Sequence, residues 1–117
     1  MGMDSRNKFT AAFLAAALGA ATLLMAQPAK QAQADAAKGK TVFGAQCSVC
    51  HNADSNAKKL GPGLKGLFKK AKLENGKPCN EANVRAAIDN GGNGMPPFKE
   101  MLNTADKNNI IAFLKTL

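Results

Sequence analysis

Two of the three cysteines and the single histidine lie within five consecutive residues, in the run CSVCH at positions 47–51. A redox-active dithiol is one interpretation of this run, but it requires a neighbouring βαβ pattern, and the chain has no alternating run of β-branched residues. A zinc site with Cys79 as fourth ligand is a second, although adjacent side chains such as Cys50 and His51 rarely converge on one tetrahedral ion. A plain structural disulfide is a third.

The fourth interpretation, covalent haem attachment, is the one that the C-x-x-C-H pattern favours. Thiols three positions apart project from the same side of one helical turn, so Cys47 and Cys50 can each add to a vinyl group of haem. The imidazole of His51 follows at once and can bind the iron from one face. One turn of chain therefore supplies both covalent anchors and the proximal ligand.

The other face of such an iron needs a further ligand, and the chain has no second histidine. The methionines beyond position 34 are Met95 and Met101. Met95 lies in the run GGNGMPPF, where Pro96 biases it towards extended backbone and the preceding glycines permit a close approach. We therefore predict that Met95 binds the iron and that Met101 fills a gap in the core.

Residues 1–34 have the composition of a secretory signal peptide. Arg6 and Lys8 precede an almost wholly apolar run at positions 9–26, and a polar stretch then ends in Ala-Gln-Ala. A basic head, an apolar middle and a small-x-small end are the parts of such a signal. Cleavage would leave a domain of residues 35–117. An uncleaved anchor is the alternative, although the run is shorter and richer in alanine than a typical membrane span.

A domain confined to residues 35–117 has a thin core of its own, and domains near this size usually need a disulfide, a metal or another staple. The chain has no Trp or Tyr, and its aromatic residues are six Phe. We therefore expect another group to fill the middle of the fold.

Four motifs follow one another in this domain, GKTVFGAQCSVCH, LGPGLKGLF, GMPPF and NNIIAFLKTL. In this order they resemble the N-terminal helix with its haem-binding turn, the proline loop, the methionine loop and the C-terminal helix of class I cytochromes c. The resemblance implies an all-α fold, with three to five short helices around one covalently bound haem c. It also implies that the carbonyl of Pro62 accepts a hydrogen bond from Nδ1–H of His51.

The resemblance places Gly39 and Phe43 of the first helix against the last helix. The facing residues would be Ile110, Phe113 and Leu114, whose spacing is that of one helix face.

Capping residues predict the ends of the other helices. A helix over the run NEANVRAAIDNGG is predicted to begin at the N-cap Asn80 and to stop at Gly91 and Gly92. Thr104 is the predicted N-cap of the last helix. Cys79, which lies outside the resemblance, is expected to be a buried or inert thiol.

Ligation by His51 and Met95 would close both axial positions, and a Met ligand raises the reduction potential. The sequence thus predicts a soluble periplasmic carrier of single electrons between membrane or periplasmic redox complexes, and no enzyme. A haem enzyme or gas sensor with an open sixth position is one alternative, and a subunit docked on one oxidoreductase is another. The thylakoid lumen and a membrane-anchored form are alternatives for the location.

Lysines are concentrated between positions 58 and 77, a range we call the basic segment. Its only acid is Glu74, and its lysines are Lys58, Lys59, Lys65, Lys69, Lys70, Lys72 and Lys77. The resemblance implies that some of these lysines surround the exposed haem edge, where they would steer the protein onto acidic docking surfaces of its redox partners; a solvated face without a partner is the alternative. We expect a monomer with no nucleic-acid partner and no stable membrane insertion after cleavage.

Overall fold

Three α-helices and one short 3₁₀ helix make up the regular structure of the computed structural model, which describes residues 33–117. They are α1 (Ala36–Gln46), the 3₁₀ helix (Leu67–Lys69), α2 (Glu81–Asn90) and α3 (Thr104–Leu114). Within this part of the chain there is no strand, and the extended pairs are isolated bridges. The predicted all-α fold is therefore confirmed. The predicted signal peptide lies outside the described residues, apart from Gln33 and Ala34.

Helix α1 begins at a side-chain cap and leads directly into the CSVCH run. The carboxylate of Asp35 accepts hydrogen bonds from the backbone N–H groups of Ala37 and Lys38, at 2.8 Å and 3.2 Å. These bonds satisfy donors that a helix start leaves without partners. At the other end, Cys47 N donates to the Phe43 carbonyl at 2.8 Å, so the turn that follows is continuous with the helix.

Helices α1 and α3 cross in close contact, as the resemblance implied. The rings of Phe43 and Phe113 meet edge to face with centroids 5.3 Å apart. Gly39 lies at the crossing, where a Cβ atom would overlap the carbonyl of Asn109. Ile110 and the two other predicted facing residues of α3 are buried, which confirms this contact.

Helix α2 has the predicted ends, whereas α3 begins differently. Asn80 caps α2 by accepting a hydrogen bond from Asn83 N at 2.9 Å, and Gly91 ends it with a φ of 64°. The prediction that Thr104 caps α3 is wrong. Asn103 is the cap, because its side-chain oxygen reaches Asp106 N at 2.8 Å; Thr104 is already helical.

The core lies between the helices and the loop that follows α2. It contains ten buried apolar residues: Phe43, Leu67, Val84, Ile88, Phe98, Leu102, Ile110, Ile111, Phe113 and Leu114. Met101 is 61% exposed, so the prediction that it fills a core gap is wrong. Leu102 N donates to the Phe98 carbonyl at 3.1 Å, and both of these side chains turn inward, which leaves Met101 on the outer side of the turn.

None of the helices within residues 33–117 has the length and apolar character that crossing a membrane requires.

Candidate haem site

The turn after α1 holds the two thiols and the imidazole close together. The backbone N–H groups of Cys50 and His51 both donate to the carbonyl of Cys47, at 3.1 Å and 3.0 Å. Burial, with a smaller contribution from the neighbouring Cys50 thiol, raises the pKa of the Cys47 thiol to about 11. Redox-active dithiols need a lowered thiol pKa, so the raised pKa of Cys47 disfavours the dithiol interpretation.

The imidazole of His51 is oriented by the proline loop. Its Nδ1 lies 2.8 Å from the carbonyl oxygen of Pro62, which is the hydrogen bond that the resemblance implied. Because a carbonyl can only accept, Nδ1 carries the proton, and Nε2 of the neutral ring keeps a free lone pair. That lone pair is the one a metal ion can use.

Gly61 brings the proline loop against the imidazole, and the sequence argument did not identify it. Its N–H donates to the Cys50 carbonyl at 2.8 Å. A Cβ atom at this position would lie 2.6 Å from Cε1 of His51, so only glycine lets the backbone approach the ring this closely. The position before Pro62 in a glycine-rich loop was the available sequence indication.

A tight turn fixes Met95 in the methionine loop, residues 91–98. Gly92 and Met95 exchange two backbone hydrogen bonds of 2.9 Å and 3.0 Å. The central residues Asn93 and Gly94 have positive φ angles of 51° and 87°, the pattern of a type I′ turn, for which Asn-Gly is a favoured pair. A Cβ atom at Gly91 would overlap the Met95 carbonyl, so the loop is closely packed on itself.

A cavity of about 840 Å³ joins these elements. All five predicted site residues line it: Cys47, Cys50, His51, Pro62 and Met95. Its apolar wall is formed by Leu64, Leu67, Val84, Ile88, Phe98 and Leu114. This volume is within the range of roughly 300–1,000 Å³ that is usual for cofactor and ligand sites.

The lining residues fit a haem. Two thiols supply covalent anchors, a ring nitrogen with a free lone pair and a thioether supply possible iron ligands, and the apolar wall suits a macrocycle. Lys58, Lys70 and Lys72 of the basic segment also line the cavity, and cations there can pair with the carboxylates of such a group.

Cys79 lies apart from the cavity and gives no support to the zinc interpretation. Its thiol is half-buried and donates to the carbonyl of Leu67 at 3.2 Å. Throughout residues 33–117, no three His, Cys, Asp or Glu side chains are close enough to share a metal ion. The thiol therefore has a local hydrogen bond, in keeping with the expectation of an inert residue.

Known proteins are similar to this chain in sequence. A family model described as "Cytochrome C oxidase, cbb3-type, subunit III" matches residues 34–114. A protein named cytochrome c6 from Anabaena variabilis is 35% identical over 81 residues, which cover 69% of this chain and 90% of that protein. The chain belongs to the class I cytochromes c.

A second relative and one solved structure are also similar to this chain. Cytochrome c6 from Synechocystis sp. is 35% identical over 81 residues, or 69% of this chain, and the match spans only 64% of that protein's length. The solved structure of cytochrome c6 from the diatom Phaeodactylum tricornutum aligns with a TM-score of 0.57 over 70% of this chain and 92% of that one. At 21% identity, that likeness supports the fold alone.

As a class I cytochrome c, the protein has one haem c, attached through Cys47 and Cys50, which confirms the predicted cofactor. The protein therefore carries a single haem.

Proposed function

We propose that the protein is a soluble one-electron carrier, with no enzymatic activity, whose iron is bound by His51 and Met95. The observation that supports this most strongly is that both side chains line one cavity and that hydrogen-bonded turns hold each of them. Haem supplies reversible one-electron chemistry when it is bound. His51 and Met95 would then be the residues that bind the iron.

His51 would bind the iron of the haem through Nε2. The carbonyl of Pro62 fixes the proton on Nδ1, which sets both the tautomer and the ring plane. A partner of this kind also makes the ligating nitrogen more basic. Gly61 prevents the ring from tilting, because its backbone packs directly against the imidazole.

Met95 would bind the iron through the sulfur of its thioether. Its half-buried side chain packs against the core, and Pro96 and Pro97 fix φ at the next two positions. A thioether held this rigidly would occupy the position at which a substrate or gas could otherwise bind the iron. Electron transfer without bond-making at the iron is the activity that remains.

Absorption spectroscopy of the purified protein tests this ligation. The haem spectrum should survive acid–acetone extraction, and the oxidised protein should show a sulfur-to-iron charge-transfer band. Met95→Ala should keep the covalent haem, lose this band, lower the reduction potential and allow the reduced protein to bind carbon monoxide. Met101→Ala is the control, because that side chain is exposed. A parent protein that lacks the band and binds carbon monoxide would instead be a haem enzyme or gas sensor.

We further propose that residues 1–34 are a cleaved signal peptide and that the carrier works in the periplasm as a monomer. Two observations support this boundary: the family match begins at residue 34, and the cap of α1 is Asp35. N-terminal sequencing of the periplasmic fraction should find Asp35 first, and size exclusion should give a monomer. Retention of the full chain on the membrane, or copurification with one oxidoreductase, would contradict the proposal.

The basic segment is proposed to dock on an acidic surface of the redox partner. All of its lysines are exposed, and Lys58, Lys70 and Lys72 line the cavity itself. Positive charge beside the cofactor steers a carrier towards an acidic partner and raises the association rate more than the final affinity. Because the Debye length is about 10 Å at 0.1 M salt, this effect should fade as ionic strength rises.

Charge reversal tests the docking proposal. Changing Lys59, Lys65 and Lys69, none of which lines the cavity, to Glu should slow reduction by the donor in low salt, flatten the salt dependence and leave the haem spectrum unchanged. The matched control reverses Lys38 and Lys40, which are exposed on α1 and do not line the cavity. Equal rate losses per reversed charge in both variants would show that net charge, rather than a docking surface, sets the rate.

A further inference from the structure

Within residues 33–117, Lys107 is the one charged residue that is buried, with 8% of its surface exposed. Its ammonium lies 2.7 Å from Oδ1 of Asp89 and donates to the carbonyl of Lys99 at 3.0 Å. Asp89 Oδ1 is buried and has no hydrogen-bond partner within the described residues, so the attraction between opposite charges holds that pair together. A buried ammonium is costly without such partners, and this arrangement therefore needs an explanation.

The positions of the two charges are unfavourable for their own helices. Lys107 is in the first turn of α3, where the helix dipole favours negative charge. Asp89 is in the last turn of α2, where the dipole favours positive charge. Neither Lys107 nor Asp89 therefore stabilises its own helix through the helix dipole. A conflict between local preference and observed structure is most often found where a residue serves a site.

The ion pair closes the base of the methionine loop. Phe98 N donates to the carbonyl of Ile88 at 2.9 Å, and Lys99 N donates to the carbonyl of Asp89 at 3.2 Å. The carbonyl of Lys99 in turn accepts from Lys107. Residue 99 is thus held on both sides of its backbone, and we call Asp89, Lys99 and Lys107 the loop clamp.

We propose that Lys107 is a positioning residue that, through the loop clamp, holds Met95 in place as an iron ligand. This inference rests on the proposed ligation by Met95. Pro96 and Pro97 separate Met95 from the buried Phe98. Because both prolines have a fixed φ, movement at residues 98–99 is transmitted to Met95 rather than absorbed between them. Loss of the hydrogen bond from Lys107 to the Lys99 carbonyl would therefore give the Met95 side chain more freedom to move.

The test uses Lys107→Met holoprotein, in which the unbranched apolar stem is kept and the charge is removed. Imidazole, the probe, must displace Met95 to bind the oxidised iron, and its dissociation constant should fall about tenfold as local opening of the loop becomes easier. Hydrogen exchange of the Phe98 and Lys99 amides should accelerate by a similar factor. Amides at the crossing of α1 and α3 should keep their parent rates.

Ile111→Val is the matched control for a general loss of stability. Ile111 is a fully buried residue of the same helix, and it does not line the cavity. Even if Ile111→Val lowers the free energy of unfolding as much as Lys107→Met does, it should bind imidazole as weakly as the parent protein does. If both variants bind imidazole equally well, or if exchange accelerates uniformly in Lys107→Met, Lys107 only stabilises the fold and the proposal is overturned.

Two further results keep the test decisive. Should Lys107→Met fail to accumulate as holoprotein, Asp89→Asn removes the other charge with little change of shape and should shift imidazole binding and exchange in the same direction. An unchanged Asp89→Asn protein would overturn the proposal. Failure of Met95 ligation would already be visible as a missing sulfur-to-iron band in the parent, so it is distinguished from failure of the clamp.

Discussion

Gly39→Ala should destabilise the protein although alanine is the better helix former. In α1 the substitution gains about 1 kcal/mol of helix propensity. The new methyl group, however, would overlap the backbone carbonyl of Asn109 and lie 2.9 Å from Cβ of Phe113. Overpacking costs about 1–3 kcal/mol, and a backbone neighbour that cannot rotate away places this site at the upper end. The free energy of unfolding should therefore fall by about 2 kcal/mol, the difference between these two effects.

Gly44→Ala, in the same helix, is the control for the helix propensity. A Cβ atom there would have no neighbour within 4 Å, so we expect a gain of about 0.5–1 kcal/mol. Guanidinium unfolding of the oxidised holoprotein, followed by circular dichroism, measures both variants. In thermal unfolding, Gly39→Ala should lower the midpoint by about 8–16 °C, as expected for a domain of this size. If Gly39→Ala is as stable as Gly44→Ala, α1 and α3 are not in the contact described.

Three further predictions concern the haem site and the surface. Gly61→Ala should lower the free energy of unfolding by about 1–3 kcal/mol and shift the NMR signals of His51, because its Cβ would press on the imidazole; unchanged His51 signals would contradict this. The hydrogen bond and the charge of Lys115 lower the pKa of the Glu81 carboxyl. The ion pair of Glu81 and Lys115 should thus stabilise the fold at pH values above the ordinary pKa of Glu, and this stabilisation should be lost as pH falls through the lowered pKa. In an NMR titration, Lys115→Met should return the pKa of Glu81 towards its ordinary value. Cys50→Ala should reduce the yield of holoprotein several-fold, since one covalent anchor is lost, and a normal yield would argue against attachment at both thiols.

Much of the fold could be predicted because its determinants are local. Asn80 and Gly91 mark the ends of α2 through caps that act within a few residues. The CSVCH run identifies the cofactor in the same way, since one turn of helix positions both thiols and the imidazole. The spacing of Ile110 and Phe113 is equally local, and it indicated the buried face of α3 correctly.

The features that sequence reasoning missed depend on long-range contacts or on choices between neighbours. Asn103 and Thr104 are both good helix caps, and only the position of Asp106 N decides between them. Met101 is apolar in type but lies on the outer side of its turn. Nothing in the sequence marks Lys107 as buried, because its partner Asp89 belongs to another helix and a lysine near a helix start is normally solvated.

The crossing of α1 and α3 has a consequence for the order in which the protein forms. Asp35 N donates to the side-chain oxygen of Asn109 at 2.8 Å across 74 positions of sequence, so the helix pairing has a high contact order. Contacts of this range form slowly, since the intervening chain must lose its entropy first. Helix α1 alone has only 11 residues, and helices below about 12–15 residues are marginal in isolation. During synthesis, Cys47 and Cys50 therefore stay in an unfolded chain until α3 is complete, and covalent attachment can precede tertiary folding.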